Sequence, residues 1–282
     1  METIDLETWE AFGEELTSRN IPFGEGPRYL FRGQSNASWS LDTTLERSWK
    51  KKLLFSDYYK TISVIRPQIE SFTNRQWGEL PGVMKIMDLE REYDAFSLML
   101  SGIGNPFPAY NYMAHLRHHG FPSPLLDWTR TPYVAAYFAF RNAVKDRVAI
   151  YLYSERPQNF KSSSSDEPQI HLLGPYVQTH RRHFLQQSTY TICLRFQIDA
   201  GWHFSPHESV FSLNVTHQDA LWKFTIPASE RVKVLKTLDA YNLNAFSLFD
   251  SEEALMETMA MRHIGFKQAL VEADANALKG ER

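Results

Sequence analysis

The feature that most constrains the fold is a change of period about halfway along the chain. Up to about residue 143, apolar residues recur three and four apart: Trp9, Phe12 and Leu16, then Ile62, Ile65, Ile69 and Phe72, then Tyr93, Phe96 and Leu100. That spacing lines one face of a helix. From Val148 onward, β-branched and aromatic runs take over, at Val148 to Tyr153, Tyr190 to Phe196 and Lys223 to Ile226. Runs of this kind read as strands. Helices crowding one half and strands the other predict an α+β fold around a mixed β-sheet. With no sharp linker between the halves, residues 1–282 read as one domain carrying a helical insertion at about 50–110. Pro67 is expected to kink or break its helix. The serine run within 161–168 is expected to form a mobile loop.

Charge and cysteine usage close off several functions. The formal net charge is −3 and Cys193 is the single cysteine. A near-neutral chain lacks the footprint of a general nucleic-acid or polybasic membrane binder. A single thiol excludes an internal disulfide and a thiolate zinc cage. The most apolar stretch, Tyr133 to Phe140, is far shorter than the roughly 20 residues that span a bilayer. The first ten residues lack the basic and apolar regions of a secretory signal. No membrane association and a cytoplasmic location are therefore expected.

His115 and His119 are four apart and could face one ligand, but no zincin Glu lies between them. A histidine satisfied near a helix C-terminus is the better reading, and no metal is expected. Arg181-Arg182-His183 reads on its own as a solvated turn. Two segments carry more chemistry. Phe31-Arg32-Gly33-Gln34 ends a short strand with an arginine flanked by glycine, which can aim a planar fork at a phosphate or carboxylate. His118 to Arg130 packs Asp127, Trp128 and Thr129 ahead of a small-residue helix that starts at Pro132. Asp127 or Thr129 could cap that helix, or its N-terminus could hold an anion; both readings stay open.

These two segments resemble the FRG domain, a family named for its Phe/Tyr-Arg-Gly motif. Phe31-Arg32-Gly33-Gln34 with Trp39, Leu41 and Arg47 is similar to the family's opening block. His118-His119-Gly120-Phe121-Pro122-Ser123 through Leu125-Leu126-Asp127-Trp128-Thr129 resembles its second block, and Pro132, Ala135, Phe138 and Ala139 the helix that follows. Weaker similarity continues at Gln187 and Tyr190 and at Phe246 to Asp250. Ser123-Pro124 stands where Thr-Arg is usual, and Arg117 where glutamine is usual.

The order of Arg32, then Ser123 and Thr129, then the Gln187 block also resembles arginine-initiated ADP-ribosyltransferases. That resemblance implies an ADP-ribosyltransferase-like sheet arrangement and NAD as substrate. Arg32 would clamp the pyrophosphate, and Gly33, Gln34, His119, Ser123 and Trp128 would line the NAD site, with Trp128 against the nicotinamide. Arg32, Asp127, Thr129 and Gln187 would form the catalytic set. Such enzymes carry a Glu where Gln187 stands, so Asp127 becomes the candidate for the missing charge, with Glu208 and Glu253 as the other carboxylates. The implied role is an effector or toxin acting on a protein or nucleic-acid target and restrained by an antitoxin partner. The alternative is a non-catalytic module that binds a nucleotide, a nucleic acid or a protein.

Overall fold

The structure is a computed structural model and describes residues 1–21, 29–49, 53–78, 80, 82–91, 107–143, 146–155, 166–174, 177, 179–212, 219–269 and 271. Its centre is one mixed sheet of eight strands: β1 (Glu2–Asp5), β2 (Tyr29–Gln34), β3 (Leu126–Thr129), β4 (Arg147–Ser154), β5 (Gln169–Leu173), β6 (Ser188–Gln197), β7 (Gly201–Phe204) and β8 (Ala220–Pro227). The order across the sheet is β1-β8-β4-β2-β3-β6-β5, with β7 paired to β6. Among the described residues only β1 and β8 run parallel, and every other strand pairing is antiparallel. The expected α+β class is the one observed.

Strands β4, β6 and β8 fall where the β-branched runs predict them. The short strands β1, β3, β5 and β7 were not anticipated, because four or five residues hold too few alternations to register as period two. Helix α1 (Trp9–Ser18) starts later than the expected Asp5, since residues 2–5 go to the sheet edge instead. After α2 (Thr44–Ser48) comes α3 (Phe55–Thr73), which runs unbroken through Pro67. The expected break is therefore absent. Pro67 lies on the exposed side of α3, where water can satisfy the carbonyl its missing N–H leaves free. Helix α4 (Val83–Arg91) continues the helical segment. The expected stripe Tyr93, Phe96 and Leu100, and most of the expected 161–168 loop, lie outside the described residues.

Helix α5 (Tyr110–His118) ends at Gly120, which takes a left-handed φ of 84° as its cap position demands. Helix α6 (Pro132–Arg141) opens with proline in its first turn, and Thr131 caps it by accepting from the Tyr133 N–H. Neither Asp127 nor Thr129 is the cap, because both are already committed to β3. The short α7 (Arg182–Leu185) and α8 (Glu208–Ser212) flank β6 and β7 in sequence. Helices α9 (Arg231–Ala240), α10 (Ala245–Phe249) and α11 (Glu252–Ala260) follow the sheet.

Register places two cores side by side on one sheet face. Phe31 pairs Thr129 and Asp127 pairs Tyr190, so these residues share a face. On that face Phe31, Ile150, Leu152 and Phe224 pack under α1, α6 and α9. Further along it, Tyr190, Ile192 and Leu194 pack under α3 and α5. A third core on the opposite face joins Leu30, Tyr151 and Tyr153 to Leu126, Trp128 and Cys193.

Candidate functional site

The sheet is nearly divided between β2 and β3. Six residue pairs join β2 to β4 and four join β3 to β6, but among the described residues only Phe31 and Thr129 pair across the junction. A cleft of about 760 Å³ opens there, lined by Phe31 to Ser35 of β2 and its exit and by Asp127, Trp128 and Thr129 of β3. That volume lies within the roughly 300–1,000 Å³ usual for small-molecule sites. The floor on the β2 side depends on Gly33. A methyl group there would sit 1.9 Å from the Ala135 carbonyl oxygen, so only glycine lets α6 lie this close.

Arg32 points away from α6 by strand alternation and reaches across the gap. Its Nη1 donates to the main-chain oxygen of Asp127 at 2.8 Å, a side chain supplying the hydrogen bond the missing rung leaves open. Burial pulls the Arg32 guanidinium down to about 10, with Asp127 opposing the shift, and it stays a cation at neutral pH. Its Nε is buried with no hydrogen-bond partner among the described residues.

The Asp127 carboxylate turns the other way, to Arg117. Arg117 Nε donates to Oδ1 at 2.9 Å and Nη2 to Oδ2 at 2.8 Å, a bidentate fork. Burial alone would push the Asp127 carboxyl up, but Arg117, with help from Arg32, holds it below its ordinary value. Burial likewise works against the Arg117 charge, and Asp127 outweighs it, so that guanidinium is raised. The Asp127 side chain keeps 39% of its exposure, against 12% for Arg117. Its remaining lone pairs therefore face the cleft. Arg117 is braced by Nη1 donating to Thr44 Oγ1 at 3.1 Å.

The sequence-predicted residues separate into those that line the cleft and those that do not. Arg32, Gly33, Gln34, Asp127, Trp128 and Thr129 all line the one cleft. Among them Thr129 Oγ1 donates to the Gln186 carbonyl, and Trp128 is only 2% exposed, its ring against Tyr153 and its Nε1 donating to Thr191. Ser123 and His119 are not among the lining residues. Ser123 is wholly buried and its Oγ accepts from the Leu125 N–H, while His119 packs on His115 at the end of α5. Gln187 sits in a left-handed turn with φ 47°, its carbonyl accepting from the Arg130 N–H, and its neighbour Gln186 lines the cleft. Glu208 accepts from the Leu41 N–H and Glu253 lies in the first turn of α11; neither lines the cleft.

Several lining residues are not among the site residues the sequence predicts. Arg117 is visible there only as a departure from glutamine in the second block. Arg182 belongs to a cluster that reads as a solvated turn, yet it lies against the Phe249 ring, 5.4 Å from guanidinium carbon to centroid, at the cleft wall. His118 rather than His119 faces the cleft, its Nε2 2.6 Å from the Tyr190 hydroxyl. Burial lowers His118 to about 4, against the pull of Asp127, so it is neutral at physiological pH. The cleft thus holds Arg32, Arg47, Arg117 and Arg182 against Asp42 and Asp127. Such a site attracts anions. Among the described residues, none of those lining the cleft comes from α3 or α4. Among the described residues no cluster of three or more His, Cys, Asp or Glu side chains is placed to hold a metal ion, and no helix is long and apolar enough to cross a membrane.

The FRG domain family model matches residues 27–147, a span that supplies every lining residue except Arg182, Gln186, Ser188 and Phe249. No curated protein and no solved structure matches the chain.

Proposed function

For a chain that carries an FRG domain at residues 27–147, we propose that the cleft binds NAD and transfers or hydrolyses its ADP-ribose. The observation that carries this reading is the excess of arginine, four against two aspartates, in one cleft of a chain whose net charge is −3. A pyrophosphate is the anion that such spread guanidinium groups suit, each able to make bidentate contacts. Arg32 holds it at the sheet junction. Asp127, kept ionised by Arg117, faces the ribose.

In that arrangement the nicotinamide–ribose bond breaks with its electron pair leaving on nicotinamide. The sugar becomes oxocarbenium-like, as in glycoside hydrolysis, and the Asp127 anion stabilises that charge. Water or a nucleophile on the target then attacks the same carbon and gives up a proton. Asp127→Asn should cost about 2–4 kcal/mol of transition-state stabilisation, by analogy with a lost oxyanion-hole donor.

A second reading has its own support. Arg117 occupies both Asp127 oxygens, which favours a module that binds a nucleotide without cleaving it. Labelled NAD incubated with purified protein and cell extract separates the two. The catalytic reading expects nicotinamide release or label transfer by the wild type, lost in Arg32→Ala and not restored in Arg32→Lys. It also expects growth arrest on expression, relieved by Arg32→Ala. No release and no transfer, with nucleic acid and protein both offered, would leave the binding module.

A further inference from the structure

The chain has seven tryptophans, and five of them rest on an aromatic ring or a guanidinium. Trp9 packs on Phe12, Trp77 on Tyr112, Trp128 on Tyr153 and Trp202 on Phe196, while Arg19 lies over Trp222. Trp39 and Trp49 have no such neighbour among the described residues. Of these two, only Trp39 lines the cleft, and it is 54% exposed.

Its side chain is solvated although the loop that carries it is fixed. Asn36 Oδ1 accepts from both the Ser38 N–H and the Ser38 hydroxyl. The Trp39 N–H donates to the Asn36 carbonyl, and the Tyr151 hydroxyl donates to the Trp39 carbonyl at 3.3 Å. Gln34 Nε2 donates to the Ser40 carbonyl at 3.1 Å, and the Leu41 N–H donates to Glu208 at 2.8 Å. A backbone pinned this thoroughly, holding a bare indole at the mouth of a cation-rich cleft, is pre-organised for a flat π-surface attached to phosphate.

We propose that Trp39 is a nucleobase platform: the base of a bound nucleotide stacks on its indole while the phosphates run inward to Arg47 and Arg32. This rests on the nucleotide reading of the cleft and goes further by assigning one end of the ligand to one residue. The half-exposed ring takes the unreactive base, adenine in NAD, because bond cleavage belongs in the better-shielded interior near Asp127.

The test is calorimetric titration of the purified full chain with ADP-ribose, nicotinamide mononucleotide and inorganic pyrophosphate. Base stacking measured by alanine substitution elsewhere sets the expected scale: Trp39→Ala weakens ADP-ribose about 5–150-fold. The same change leaves pyrophosphate and nicotinamide mononucleotide within about twofold. Trp39→Phe retains most of the ADP-ribose affinity, and Trp49→Ala changes nothing. If Trp39→Ala binds ADP-ribose as the wild type does, the platform is wrong and the nucleotide reading stands. Equal weakening of ADP-ribose and pyrophosphate also overturns it, since the loop would then be acting on the phosphates. A wild type that binds none of the three sinks the nucleotide reading itself, and the platform with it.

Discussion

The two halves of the sheet are built by different means. On the β2–β4–β8–β1 side, long ladders meet helices that approach closely, and the core is mostly aliphatic, alanine and phenylalanine. On the β3–β6–β5 side, the core is rich in buried tyrosines whose hydroxyls are all used. Tyr58 donates to the Pro122 carbonyl, Tyr59 to that of Pro108, Tyr110 to that of Gly174 and Tyr112 to that of Ile62. A buried phenol needs such a partner, so this half trades close fit for polar anchoring. The contrast explains where the cleft lies. Each half satisfies itself, and the junction is held by one rung, the Arg32 bond and the third core on the far face.

The sharpest way to break the first half is Gly33→Ala. The added methyl meets main-chain atoms of α6 that cannot move alone, so a loss of about 3 kcal/mol or more is expected. Urea unfolding should report a lower midpoint. Arg117→Ala tests the second half instead. It leaves the Asp127 carboxylate without its fork; because Asp127 is partly exposed, the expected loss is about 1–3 kcal/mol. The sign with pH follows from the lowered Asp127. Its contribution is present above the unfolded carboxylate value of about 3.9 and disappears as pH falls through the lower folded value. Arg117→Ala should flatten that acid limb.

Three histidines give a second pH effect that begins nearer neutrality. His115 and His118 are lowered to about 4 and His207 to about 3, each by burial first. Their folded values lie below the unfolded value, so the stability they permit is full above about pH 6.5 and falls as pH drops towards 4. Each contributes at most about 1.4 kcal/mol per pH unit in that window. His207→Asn should reduce the slope by one proton's worth in unfolding followed against pH. Tyr112→Phe, which strips one hydroxyl from the tyrosine-rich core, should cost about 1 kcal/mol. Val64→Ser on the exposed side of α3 should shift stability by less than about 0.5 kcal/mol and leave nucleotide binding unchanged.

How much of this was legible beforehand follows from the physics of each residue. Long strands and helix periodicity were readable because many residues repeat one signal. Arg32, Asp127 and Thr129 were readable as site candidates because their types were dense and their segments resembled a known motif. Arg117 was not, because its meaning comes from a partner ten residues away on another element. The sequence points to His119, but His118 faces the cleft, because the rotation of α5 decides and the sequence does not show it. Gln187 was likewise the residue singled out, and with the left-handed turn at Gln187 it is Gln186 that lines the cleft.

The parallel pair at the sheet edge has a consequence in time. Glu2 to Asp5 find their partners at Trp222 to Thr225. At a synthesis rate of roughly 5–20 residues per second, the first strand waits about 10–45 s for the strand it pairs with. Through that interval it is an unpaired edge on a nascent chain, and Arg182 and Phe249 of the cleft wall are themselves late arrivals. The cleft wall is therefore complete only once Phe249 has been made, so any activity of the cleft has to wait for these late segments.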